Sequence, residues 1–79
     1  MKAIDAAYQV LKEAGEPLHV NEITRRALKL GILVTRGKTP ARTVEARIGE
    51  EINYKYGESR FLRVGQGTFN LSERSRPAS

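Results

Sequence analysis

Three stretches of helical apolar spacing, followed by two short runs around a glycine pair, predict a mainly α domain that closes with a small β-hairpin. Punctuation supports the division. Gly15 and Gly31 follow helical patterns as left-handed stops, and Thr39-Pro40 opens the last helix. A chain of 79 residues has room for one such domain and no more.

The first helix rests on Ile4, Ala7, Tyr8, Leu11 and Ala14, whose spacing of three and four marks one buried stripe. Gly15 ends it and Pro17 prevents its resumption. The second helix starts at either His19 or Asn21. With His19 as N-cap, Glu22 takes the reach-back position of a capping box, and Leu18 and Ile23 form a hydrophobic staple. Asn21 is the better cap by residue type. This helix runs through Ile23, Ala27 and Leu30 and stops at Gly31.

After Ile32-Leu33-Val34 comes the polar turn Thr35-Arg36-Gly37-Lys38. Thr39 is the expected hydroxyl N-cap of the third helix, with Pro40 at a position where its missing N–H costs nothing. This helix runs to about Lys55, buries Ala41, Val44, Ile48 and Ile52, and is ended by Gly57. Helical phase turns Thr39, Arg42, Thr43, Ala46 and Glu50 to solvent, with Arg47 at the boundary. Glu51 falls on the core side, so it should pair with a base such as Arg63 or lie where the core is open.

Period two then replaces period 3.6. Arg60–Val64 and Thr68–Leu71 flank a three-residue loop, Gly65-Gln66-Gly67. Phe69 and Leu71 alternate towards a core. Phe61 and Val64 cannot both do so in a regular strand, which predicts a bulge or a late strand start. Residues 1–72 thus make the domain, and 73–79 read as a flexible tail or linker. Three helices and a hairpin form the element order of a winged helix-turn-helix, although the Gly31–Lys38 connection is longer than a minimal turn.

The segments Ala14-Gly15-Glu16-Pro17-Leu18-His19, Glu22-Ile23-Thr24, Gly37-Lys38-Thr39-Pro40 and Ser59-Arg60-Phe61, with Val64-Gly65 and Gly67-Thr68-Phe69, resemble the HARE-type helix-turn-helix. The resemblance covers residues 3–72. That family is found fused to restriction endonucleases, in Asx-like chromatin regulators and near the N-terminal domain of the bacterial RNA polymerase delta subunit. The resemblance implies a winged helix and a DNA-binding role, often tethered to a nuclease or transcription-machinery domain. It also raises sensing of modified bases, as proposed for some members, and docking to a protein partner, as in the delta-subunit relatives.

Charge points the same way. Fourteen basic and nine acidic residues give +5, and nine of the fourteen are arginine, which suits phosphates and guanine edges. Arg36, Lys38, Arg42 and Arg47 face only Glu45 within 36–47, although a solvated helix face can carry the same run. In a helix-turn-helix the second helix of the pair enters the major groove by its N-terminal residues. The expected DNA-binding set is therefore Lys38, Thr39, Arg42, Thr43, Ala46 and Arg47, with Arg60, Arg63 and Gln66 of the wing on phosphates or the minor groove. The alternative is a protein-docking winged helix that uses the first helix or the face of Ala46 and Tyr54. A single-strand binder is a weaker third reading, resting on Tyr54 and Tyr56 alone.

Other chemistry has little material. There is no cysteine and one histidine, so thiolate zinc sites and covalent catalysis are not expected, and His19 suits capping or the surface. Gly37-Lys38-Thr39 resembles the end of a phosphate-binding loop but lacks its upstream glycine, since that position is Ile32. Gly65-Gln66-Gly67 lacks the rest of a dinucleotide fingerprint. No enzyme activity and no cofactor are expected. No apolar run approaches the ~18 residues of a membrane span. The expected setting is the cytoplasm (nucleoid), or the nucleus in a eukaryote.

Overall fold

The structure is a computed structural model that describes residues 1–34, 38–55 and 58–72. The chain runs α1 (Ala3–Ala14), β1 (Leu18–His19), α2 (Val20–Lys29), α3 (Pro40–Lys55), β2 (Phe61–Gly65) and β3 (Thr68–Leu71). This is a winged helix: three helices packed on one another, with a small antiparallel sheet whose β2–β3 hairpin is the wing. The turn at Thr35–Gly37, the helix stop at Gly57, Tyr56 and the tail 73–79 lie outside the described residues.

The sheet has three strands in the order β1-β3-β2, one more than the sequence suggests. β1 holds only two residues, with Leu18 opposite Phe69 and His19 opposite Thr68, too short to show a period of two. It nevertheless ties the start of α2 to the wing, and Val20 N–H extends the link by donating to Gly67 O at 2.8 Å.

The core is built from Ala6, Ala7, Val10 and Leu11 of α1, Ile23 and Ala27 of α2, Val44 and Ile48 of α3, and Phe61, Phe69 and Leu71 of the sheet. On α1 the buried stripe centres on Ala6 and Val10, and the expected Ile4, Tyr8 and Ala14 pack at its edge. Leu30 is exposed, because it is the residue after the last turn of α2. Gly31 follows it with φ 71°, the left-handed stop that the sequence marks.

The start of α2 takes the His19 register. Its Nδ1 accepts from Asn21 N–H at 3.1 Å, and both staple residues, Leu18 and Ile23, are buried. Glu22 does not close a capping box, because its carboxylate turns to Arg25 and Arg26 at 2.7 Å each. At the start of α3, Thr39 O accepts from Arg42 N–H at 3.0 Å, as an N-cap carbonyl does, while the Thr39 hydroxyl makes no hydrogen bond among the described residues.

The wing contains the anticipated bulge. Arg63 pairs with Phe69 and Gly65 with Thr68, which leaves Val64 as the extra residue, pointed outward and 48% exposed. The strand continues through Gly65, so the turn is Gln66-Gly67 rather than a three-residue loop, and Gly67 takes φ 66°. A Cβ on Gly67 would also sit 2.9 Å from His19 Nε2, so the tip packs closely on the start of α2.

Candidate nucleic-acid interface

The N-terminal half of α3 presents Arg42 and Ala46 to solvent, with Lys38 and Thr39 just before them and Thr43 half-buried. Neither Lys38 nor Arg42 makes an ion pair among the described residues. Beside them runs an open cleft of about 410 Å3 between the start of α2, α3 and the wing tip, lined by His19, Asn21, Arg42, Glu45, Gln66 and Gly67. The cleft lies where β1 pins His19 to the wing beside the first turns of α3.

Arg63 is held towards this side. Its guanidinium lies 5.4 Å over the Phe69 ring, and Nη2 stands 3.6 Å from where a Cβ would sit on Gly49. That is ordinary contact distance, so the arginine lies against α3 at Gly49. Gln66, at the wing tip, is exposed beside the same cleft.

Two expected residues sit elsewhere. Arg47 faces the α1 side of α3, where it pairs with Glu50 at 3.0 Å and shares a groove with Ile4 and Tyr54. Arg60, expected on the wing surface, precedes β2 and folds back behind α3. Its Nη2 donates to Glu51 Oε1 at 2.9 Å, its backbone N–H donates to Glu51 Oε2 at 2.8 Å, and Nη1 lies 3.5 Å from Asp5. The guanidinium also stacks 5.2 Å from the Tyr8 ring. The partner of buried Glu51 is thus Arg60 and not Arg63: β2 starts at Phe61, which leaves Arg60 ahead of the strand to turn back to Glu51, while Arg63 lies over Phe69 against Gly49.

This knot sets the charges behind α3. Burial pushes the Glu51 carboxyl up, but the side-chain and backbone hydrogen bonds from Arg60 outweigh it and hold the group below the usual carboxylate range. Arg60 is raised in turn, chiefly by its hydrogen bond to Glu51. Ser59 completes the knot, its hydroxyl donating to Glu51 Oε2 at 3.3 Å and accepting from Phe61 N–H at 3.0 Å. On α2, hydrogen bonds from Arg25 and Arg26 lower Glu22 to about 2.

Sequence reasoning missed Asn21, Glu45 and His19 as members of the cleft. Asn21 and His19 were visible only as rival caps, and Glu45 only as an acid within a basic run. Among the described residues no group of three or more His, Asp or Glu side chains is placed to hold a metal ion, and no helix is long and apolar enough to cross a membrane.

The model of the HARE-HTH family, described as a helix-turn-helix domain of ASXL proteins and restriction endonucleases among others, matches residues 1–73. Comparison with curated proteins and with solved structures returned no match. The matched family is a helix-turn-helix family of small, generally DNA-binding, non-catalytic domains.

Proposed function

The chain belongs to the HARE-HTH family, and on that premise we propose that it binds double-stranded DNA, with the N-terminal half of α3 in the major groove and the wing on the backbone. The observation that carries this reading is the pair of exposed cations at the start of α3, Lys38 and Arg42, which make no ion pair among the described residues. A cation already paired must give up its partner to bind phosphate; these two need not. The positive end of the helix dipole adds to the attraction.

Roles follow from position. Arg42 reaches base edges, Thr43 hydrogen-bonds a base or touches a thymine methyl, Ala46 permits close approach, Lys38 and Thr39 contact phosphates, and Arg63 and Gln66 lie on phosphates or the minor groove. Arg47 serves at the margin, since an exposed pair such as Arg47–Glu50 is worth only about 0–1 kcal/mol and can open towards a phosphate. Arg60 takes no direct part, its guanidinium being engaged by Glu51. The binding unit is 1–72, a targeting domain of a larger restriction or regulatory protein. Discrimination of modified bases belongs to the same reading.

One observation favours a second reading. Tyr54 is 83% exposed beside the groove formed with Ile4, Arg47 and Glu50, as a protein-docking winged helix would require. Titration of a mixed-sequence duplex, plain and methylated, at low and raised salt separates the two. DNA binding predicts a steep loss of affinity with salt. Absence of binding at low salt, or a response indifferent to salt, contradicts it.

A further inference from the structure

The cleft beside Arg42 holds an acid that a phosphate-binding surface would exclude. Glu45 is exposed, lines the cleft with Arg42 and Gln66, and makes no ion pair or hydrogen bond among the described residues. Against a polyanion an unpaired carboxylate is repelled, and no cation among the described residues screens it by a direct contact. Such a group lowers duplex affinity unless it meets a hydrogen-bond donor on the DNA.

The major groove offers few donors. Guanine presents two acceptors, and thymine an acceptor and a methyl group. Adenine sets its N6 donor beside the N7 acceptor, which repels the second carboxylate oxygen. Cytosine alone shows a donor, N4–H, with no acceptor on its own edge. Arg42 stands three residues before Glu45 and suits guanine O6 and N7. Three residues of helix rise about 4.5 Å, a little more than the ~3.4 Å between base pairs, so the two side chains reach neighbouring pairs.

Resting on the duplex-DNA reading above, we infer that Glu45 is a specificity-determining residue that accepts a hydrogen bond from cytosine N4, next to the guanine read by Arg42. The carboxylate lowers affinity for DNA in general and restores it only at sites with cytosine in this place. Glu45 makes no bond among the described residues that its replacement would break, so its variants fold.

The test uses the full chain and a randomised duplex pool, sequenced after binding by the parent, Glu45→Ala and Glu45→Gln. The parent enriches cytosine beside guanine. Glu45→Ala loses the cytosine preference at that one position by about ten-fold, and binds unselected duplex a few-fold more tightly. Glu45→Gln moves the preference towards adenine, whose N6 and N7 suit a carboxamide. On the selected duplex, N4-methylation of that cytosine removes the groove-facing N–H while keeping the base pair; it weakens the parent and leaves Glu45→Ala unaffected. A parent that enriches a sequence which Glu45→Ala enriches equally overturns this inference and leaves the DNA reading standing. A parent that binds no duplex overturns both.

Discussion

At the C-terminal end of α3, Glu51 is buried and its oxygens are taken up by Arg60, Ser59 and the Arg60 backbone. At the N-terminal end, Lys38 and Arg42 stand in solvent and make no ion pair among the described residues. Both ends carry charged side chains of the same types. Burial separates their uses: a desolvated charge must be paired within the fold, whereas an exposed one can wait for a partner from outside. The rear cluster therefore belongs to stability and the front cluster to binding, and variants at each end should move one property and not the other.

The largest effect is expected at the rear. Glu51→Ala leaves the Arg60 guanidinium, its backbone N–H and the Ser59 hydroxyl short of their acceptor, and should cost about 3 kcal/mol in a denaturant titration. Arg42→Ala should change that midpoint by less than about 0.5 kcal/mol. If the two variants were equally stable, the rear cluster would not hold the fold.

Binding reverses the order. Arg42→Ala should cost roughly 2 kcal/mol on a preferred duplex and relax discrimination at one base pair. Lys38→Ala should weaken all duplexes alike and reduce the magnitude of the salt slope by about one unit, as read from affinities at several salt concentrations. Equal affinities for parent and variants would remove the front cluster from the interface.

A smaller contrast separates the two helix starts. His19→Ala removes the acceptor of Asn21 N–H and should cost about 1 kcal/mol. Thr39→Ala removes a hydroxyl that bonds nothing among the described residues and should stay below about 0.5 kcal/mol in thermal or denaturant melts. A Thr39→Ala loss as large as that of His19→Ala would mean that the Thr39 hydroxyl caps the helix in solution.

Acid should report the paired carboxylates. Glu22 and Glu51 are both held below the ordinary 4.5, Glu22 at about 2, so each is more acidic folded than unfolded. Their stabilisation is present above pH 4.5 and is lost as pH falls towards the folded values, near 2 for Glu22. Denaturant midpoints measured stepwise through that window should fall with pH, and less steeply in Glu51→Gln. A midpoint rising as pH falls would contradict the pairing.

Much of this was legible because it is local. Gly15, Gly31 and Thr39-Pro40 mark helix ends through their own backbone preferences, and Leu18 and Ile23 fix the start of α2 through a staple a few residues long. The Glu51 burial followed from helical phase alone. What escaped depends on distant parts of the chain. β1 becomes a strand only because Phe69 and Thr68 lie beside it. The exchange of roles between Arg60 and Arg63 turns on where β2 begins, at Phe61 rather than Arg60, and that position is not written in the alternation. Arg47 and Glu45 diverged for a related reason: phase gives a direction around α3, but only the packed wing and α1 give each direction a neighbour.

The central claim is that the α3 start and the wing form the DNA-binding face, and amide chemical-shift mapping during titration with a duplex tests it most directly. The largest shifts are expected at 38–46 and 63–67, with smaller ones at His19 and Asn21 around the cleft. Shifts gathered instead on Ile4, Glu50 and Tyr54, behind α3, would contradict it and move the binding face to the opposite side of the molecule.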